Sequence, residues 1–247
     1  MAITPPPPAP AFLAAAVPER PDRRWPFLDL APSVFWPLAL APFGIVMLTY
    51  MLVLGFLGWS GDGGATLVTF VQQLALAVPI AWWIRRRTGS LEALGLRRGG
   101  WTRRDVGVGI GMGVLAMIAS VVVLAITMAV VEQALGHPYE PPSDTPQGLW
   151  FWAFAVMALC FAPICEELYF RGFVFQGLRR WVRFGYAGLA SGLLFAFVHV
   201  EPIRLVSLWL AGLLFAEVFE RRKTLVASIC AHATLNLIAI TLAIRAR

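Results

Sequence analysis

Three short constellations in the last hundred residues combine groups that move protons with groups that hold an oxyanion. They are Glu166-Glu167-x-x-x-Arg171, Phe195-x-x-x-His199 and His232-x-x-x-Asn236. Residues four apart share a face of a helix. Glu167 can therefore pair with Arg171, while His232 and Asn236 point to one side together. Neighbours on a helix diverge by about 100°, so Glu166 and Glu167 cannot both meet Arg171. The spacing divides the labour: Glu167 is held by Arg171, and Glu166 is left to face a cavity with the histidines. A carboxylate there suits a general base. Two imidazoles and an amide beside it can orient a water and donate hydrogen bonds to a developing oxyanion. The chemistry such a set would do is hydrolysis by an activated water.

Taken singly, each pattern also has a purely structural explanation. A lone His199 can serve as an interhelical hydrogen-bonder, and a Glu–Arg pair can act as glue between helices. The weight lies in the combination. The chain has three histidines, and two of them fall in these motifs beside two carboxylates, an arginine and an asparagine.

The elements that must position these groups are membrane helices. The chain is 59% hydrophobic and 14% charged, with mean hydropathy +0.72. An average soluble domain is about 45–50% apolar and about 25% charged. This composition excludes an ordinary soluble globular protein, and it excludes disorder as well. Charges are absent from residues 30–61, 63–84, 106–131, 145–165 and 224–244. Each run exceeds the roughly 20 residues that cross about 30 Å of hydrocarbon. Two shorter stretches, 185–200 and 203–219, complete a set of seven spans starting near Val34, Gly64, Val106, Leu149, Gly185, Ile203 and Thr224. The expected fold is all-α: a polytopic membrane helical bundle of about seven transmembrane helices. Residues 31–148 read as a scaffold of three spans without internal ionisable groups, and 149–247 as the working core of four.

The basic residues give the expected orientation. With seven spans, 16 of the 20 Lys and Arg fall on one side of the bundle, which places the N-terminus in the cytoplasm of a multi-pass cell-membrane protein. The basic balance then reflects topology, with membrane lipids as partners and no nucleic acid. Residues 1–30 differ in kind: four consecutive prolines at 5–8 mark a Pro-rich disordered cytoplasmic tail. Cys160, Cys165 and Cys230 lie inside spans without disulfide or zinc-ribbon spacing. Gly107, Gly109, Gly111 and Gly113 open an apolar run, and close helix packing explains them better than a nucleotide loop. Helical rise places His232 about 14 Å and His199 about 24 Å along their spans from the basic side. A shared site therefore calls for tilt or kinks, for which Pro163 and Pro202 are placed. It also favours a cavity opening toward that basic side. The fourth span is too long to stand upright, so the chain is expected to leave the hydrocarbon near Gly172, with residues 173–181 along the interface.

The three motifs, in this order on successive membrane helices, resemble the signature of the type II CAAX prenyl endopeptidases and their bacterial relatives, the CAAX-protease and bacteriocin-processing family. The resemblance covers residues 149–240, and the Arg171-Gly172-Phe173 continuation also fits. It implies an intramembrane endopeptidase acting on a membrane-associated peptide or protein. It further implies that Glu166 activates water with His199 assisting, and that His232 and Asn236 polarise the scissile carbonyl. Glu167, Arg171 and Phe195 would then have supporting roles. Whether the hydrolase is glutamate-type or metal-dependent stays open at this point. Glu167, His199 and His232 could be read as Zn2+ ligands, but no HExxH-like pair fixes two of them on one helix, which favours the metal-free form. Two rivals remain: a non-catalytic bacteriocin-immunity or scaffold protein of the same fold, and a proton-coupled transporter. The latter predicts internal repeats, which the sequence does not show.

Overall fold

The structure, a computed structural model, describes residues 31–56, 58, 61–96, 100–138 and 146–245. The Pro-rich tail lies outside the described residues. Among the described residues seven helices follow one another: α1 (Pro32–Val53), α2 (Asp62–Thr88), α3 (Arg103–Leu135), α4 (Gly148–Leu178), α5 (Phe184–Phe197), α6 (Pro202–Arg222) and α7 (Leu225–Arg245). All but the 14-residue α5 are long and apolar enough to cross a membrane. The chain is a polytopic membrane helical bundle, as its charge-free runs predict. Val122, Ile126 and Val130 of α3 are more than half exposed, as suits side chains whose solvent is lipid rather than water.

Glycine sets the closest helix contacts. A Cβ on Gly109 would stand 2.4 Å from the Ala227 carbonyl oxygen, and one on Gly113 would stand 2.4 Å from that of Ala231. The backbones of α3 and α7 therefore meet directly, one residue from His232. Gly107 and Gly111 face away from this contact and meet nothing within 4 Å. The glycine run thus packs closely on one of its two faces. On the other side of the bundle, α5 and α6 cross where a Cβ on Gly212 would meet the Gly192 Cα at 2.8 Å.

The two ends of the bundle differ in charge. At one end Thr102 and Asp105 form a capping box at the start of α3, and Asp105 pairs with Arg222 at the end of α6, 2.7 Å away. Arg179 meets Glu220 there at 3.2 Å, and the Leu225 N–H donates to Gly95 O. At the other end the Gln147 N–H donates to Asp62 Oδ2 at 2.7 Å, so α2 and α4 start side by side.

Helix α4 carries the acid pair and is irregular. Its backbone is α-helical at Gly148–Val156, π-helical at Met157–Phe161, α-helical again at Ala162–Glu167 and π-helical at Leu168–Phe175. Such widened turns concentrate at functional sites. The helix runs on to Leu178, and Phe173, Val174 and Phe175 are fully buried. The reason is α1: Phe35 stacks on Phe173 with centroids 5.4 Å apart, and it fills the notch left by Gly177. The extra length of α4 is covered by protein.

Candidate active site

Glu166 and Glu167 occupy the α-helical turn of α4 that separates its two π-helical stretches. Their side chains diverge as the helix requires. Glu167 and Arg171 are both fully buried, with Arg171 Nη1 2.9 Å from Glu167 Oε1. The guanidinium also donates from Nη2 to Gly212 O at 2.7 Å. Three rings enclose it, with Cζ 4.8 Å from the Phe195 centroid, 5.3 Å from Phe215 and 5.8 Å from Phe170. An isolated charge could not persist in such surroundings. Here the carboxylate, the carbonyl and the ring faces together compensate it.

The histidines arrive from α7 and from the end of α5. His232 Nδ1 lies 3.1 Å from Glu167 Oε1, and its ring stacks on Phe215 with centroids 5.1 Å apart. His199 Nδ1 lies 2.8 Å from Phe195 O. A main-chain carbonyl only accepts, so His199 carries a proton on Nδ1. The Glu167 carboxylate assigns the same tautomer to His232. In the neutral rings both Nε2 atoms then present lone pairs. They point at one atom: Glu166 Oε2 is 4.0 Å from His199 Nε2 and 3.9 Å from His232 Nε2. That oxygen is buried and has no hydrogen-bond partner.

Phe195 is the hub of the packing. Its ring lies 4.9 Å from His199, 5.5 Å from His232, 5.3 Å from Phe170 and 6.0 Å from Phe215. Of the residues singled out in the sequence, Glu166, Glu167, Arg171, Phe195, His199 and His232 therefore share one cluster. Asn236 sits one turn further along α7 and is engaged elsewhere: its Nδ2 donates to Ala158 O at 2.8 Å.

Three members of the cluster were not legible in the motifs. Gln73 of α2 donates from Nε2 to Glu166 Oε1 at 2.8 Å and is almost fully buried. Gly212 and Phe215 of α6 hold Arg171 and His232. A pair of adjacent amides inside the charge-free run 63–84 was the available signal for Gln73. Nothing distinguishes Gly212 and Phe215 from their apolar neighbours.

An apolar cleft of about 330 Å³ is lined by Phe43, Val46, Met47, Phe197, Val198 and Val200. It lies between the C-terminal ends of α1 and α5, away from the arginine-rich end. Helix α5 is short, and the turn that follows it carries His199 at the end opposite the arginine-rich one.

The ligand set considered for zinc does not fit. Glu167 Oε1 is shared between Arg171 and His232 Nδ1, so Glu167 orients the His232 ring instead of standing beside it as a ligand. Among the described residues, no group of three or more His, Cys, Asp or Glu is arranged to hold a metal.

Comparison with known proteins bears out the resemblance over this part of the chain. Residues 148–238, which contain all three motifs, match the family model of the type II CAAX prenyl endopeptidase Rce1-like proteins. A stretch of 74 residues is 35% identical to the protein named Putative membrane peptidase YdiL of Bacillus subtilis (strain 168). That match covers 30% of this chain and 30% of the length of that relative. No solved structure matches.

Proposed function

We propose that the protein is an intramembrane endopeptidase that hydrolyses a peptide bond of a membrane-associated substrate with a water activated by Glu166. One observation carries the reading: the buried, unpartnered Glu166 Oε2 faces two imidazole Nε2 atoms at 3.9 and 4.0 Å. These separations are too long for direct hydrogen bonds and suit contact through one water. In the neutral tautomers all three atoms are acceptors, so a water among them has its O–H groups drawn toward lone pairs and its own oxygen left as the nucleophile.

The chemistry then runs as follows. Glu166 Oε2 takes a proton from the water as the oxygen attacks the scissile carbonyl carbon, and the carbonyl electron pair moves onto oxygen. His232 takes up a proton from solvent at Nε2 as the substrate carbonyl arrives, donates it as a hydrogen bond to that oxyanion while Glu167 balances the ring's charge, and returns it to solvent on product release. Asn236 keeps a second amide hydrogen for the same purpose. The proton held by Glu166 passes to the leaving nitrogen as the C–N bond breaks, giving a carboxylic acid and an amine. Arg171 and Phe195 hold Glu167 and the two rings in place. The family match and the peptidase name of the relative support the class of reaction.

The test is cleavage of a library of membrane-tethered peptides by the reconstituted chain, followed by mass spectrometry. The wild type should cut, and Glu166→Gln should cut about a thousandfold more slowly. Equal cleavage by the two forms, or none by the wild type, would overturn the reading and favour a non-catalytic immunity or scaffold role.

A further inference from the structure

Helix α2 carries two adjacent amides, Gln72 and Gln73, both buried. Polar side chains inside a membrane bundle are costly unless satisfied. Gln73 is satisfied on one side only. Its Nε2 donates to Glu166 Oε1, while its Oε1 is buried and accepts nothing. The bond it does make has a consequence for Glu166. One carboxylate oxygen is anchored, so the carboxylate cannot rotate freely, and the other oxygen is presented to His199 and His232.

The free Gln73 Oε1 belongs to the same amide and stands beside the base. A buried acceptor in that position marks where a donor enters. A peptide being cut inside a bilayer must first be drawn out of its helix, which strips main-chain N–H groups of their partners where no bulk water replaces them. Main-chain N–H groups are also the donor common to substrates of any side-chain sequence. We propose that Gln73 is a positioning residue for Glu166 and that its Oε1 accepts a main-chain N–H of the substrate next to the scissile bond. The inference rests on the endopeptidase reading above. It places an essential part of the site on α2, outside the segment 148–238 that the family match covers.

The experiment uses the full chain in nanodiscs. For a library peptide that the wild type cuts, Gln73→Met, which keeps length but neither donor nor acceptor, should lower kcat/KM about ten- to hundredfold. Gln73→Glu, which keeps the shape but removes the donor, should fall at least as far. Replacing the amide next to the scissile bond by an ester removes one N–H from the peptide. That change should raise KM severalfold in the wild type and leave KM of Gln73→Met unchanged.

A wild-type kcat in Gln73→Met, with Glu166→Gln inactive, overturns the positioning role and leaves the endopeptidase reading standing. A fully active Glu166→Gln overturns both. An equal KM increase with the ester in wild type and Gln73→Met overturns the substrate contact. Thermal unfolding of Gln73→Met, Glu166→Gln and the double variant provides a readout without any substrate. Non-additive shifts are expected from a direct bond, and strictly additive shifts overturn the proposal even where no peptide is cut.

Discussion

Asn236 on α7 donates its side-chain amide to the main-chain oxygen of Ala158 on α4, 2.8 Å away. The sequence of α4 explains why that oxygen needs an outside donor. The Ala162 N–H reaches back five residues to Met157 O, and the same pattern would assign Ala158 O to the N–H of residue 163. Residue 163 is proline and has none. Asn236→Leu should therefore destabilise the protein by about 1 kcal/mol, the order expected for losing a part-buried hydrogen bond. Pro163→Ala restores an N–H, so in that background the loss from Asn236→Leu should shrink. Thermal unfolding of the two single variants and the double variant checks this, and an undiminished loss in the Pro163→Ala background counts against the account.

The Glu167–Arg171 pair makes a different prediction, because both charges are fully buried. Removing one partner strands the other, which typically costs about 3–5 kcal/mol, whereas replacing both with uncharged groups is far milder. Glu167→Gln keeps an acceptor for His232 Nδ1 but leaves Arg171 uncompensated, so its folded yield should drop sharply. The double variant Glu167→Gln/Arg171→Met should recover much of that yield. A double variant no more stable than either single one would show that the pair does not act as a unit.

The order of the helices and the positions of six site residues were legible because each rests on a rare event in the sequence. A charge-free run longer than 20 residues is uncommon, and so is a carboxylate, arginine or histidine inside one. What stayed hidden rests on common residues. Gly212 contributes only a carbonyl to Arg171, and Phe215 is one aromatic among many, so only the fold distinguishes them. Gln73 is intermediate: an amide carries no charge and leaves the run 63–84 intact, yet its place beside Gln72 within apolar turns is unusual. Asn236 was legible as a polar residue on the His232 face. Its bond to Ala158 was not, since it depends on the π-helical turn before Pro163.

The glycines of α3 divide by face, and substitution should divide with them. At Gly109 and Gly113 a Cβ would stand 2.4 Å from a carbonyl oxygen of α7. Gly113→Ala must then push α7 outward beside Ala231 and carry His232 with it. Both melting temperature and peptide cleavage should fall. Gly107→Ala and Gly111→Ala meet nothing within 4 Å. They should leave cleavage intact and raise helix stability slightly, by up to about 1 kcal/mol each. Parallel melts and cleavage assays on the variants check the contrast, and similar losses on both faces would contradict the packing described.

Val200 follows His199 directly and has φ of +53°, a left-handed conformation that β-branched residues avoid. The turn it forms ends α5 and aims the His199 ring back onto Phe195 O. Strain of this kind is worth about 1–3 kcal/mol, so relaxing it should raise stability while testing what the turn does for the site. Val200→Asn tolerates the conformation without adding freedom. It should raise the melting temperature and retain cleavage. Val200→Gly removes the strain as well but frees the backbone, so it should gain less stability and lose turnover as His199 becomes less firmly held. Melting curves together with kcat for the two variants separate these effects. A Val200→Gly form with full turnover would show that the turn serves only to end the helix.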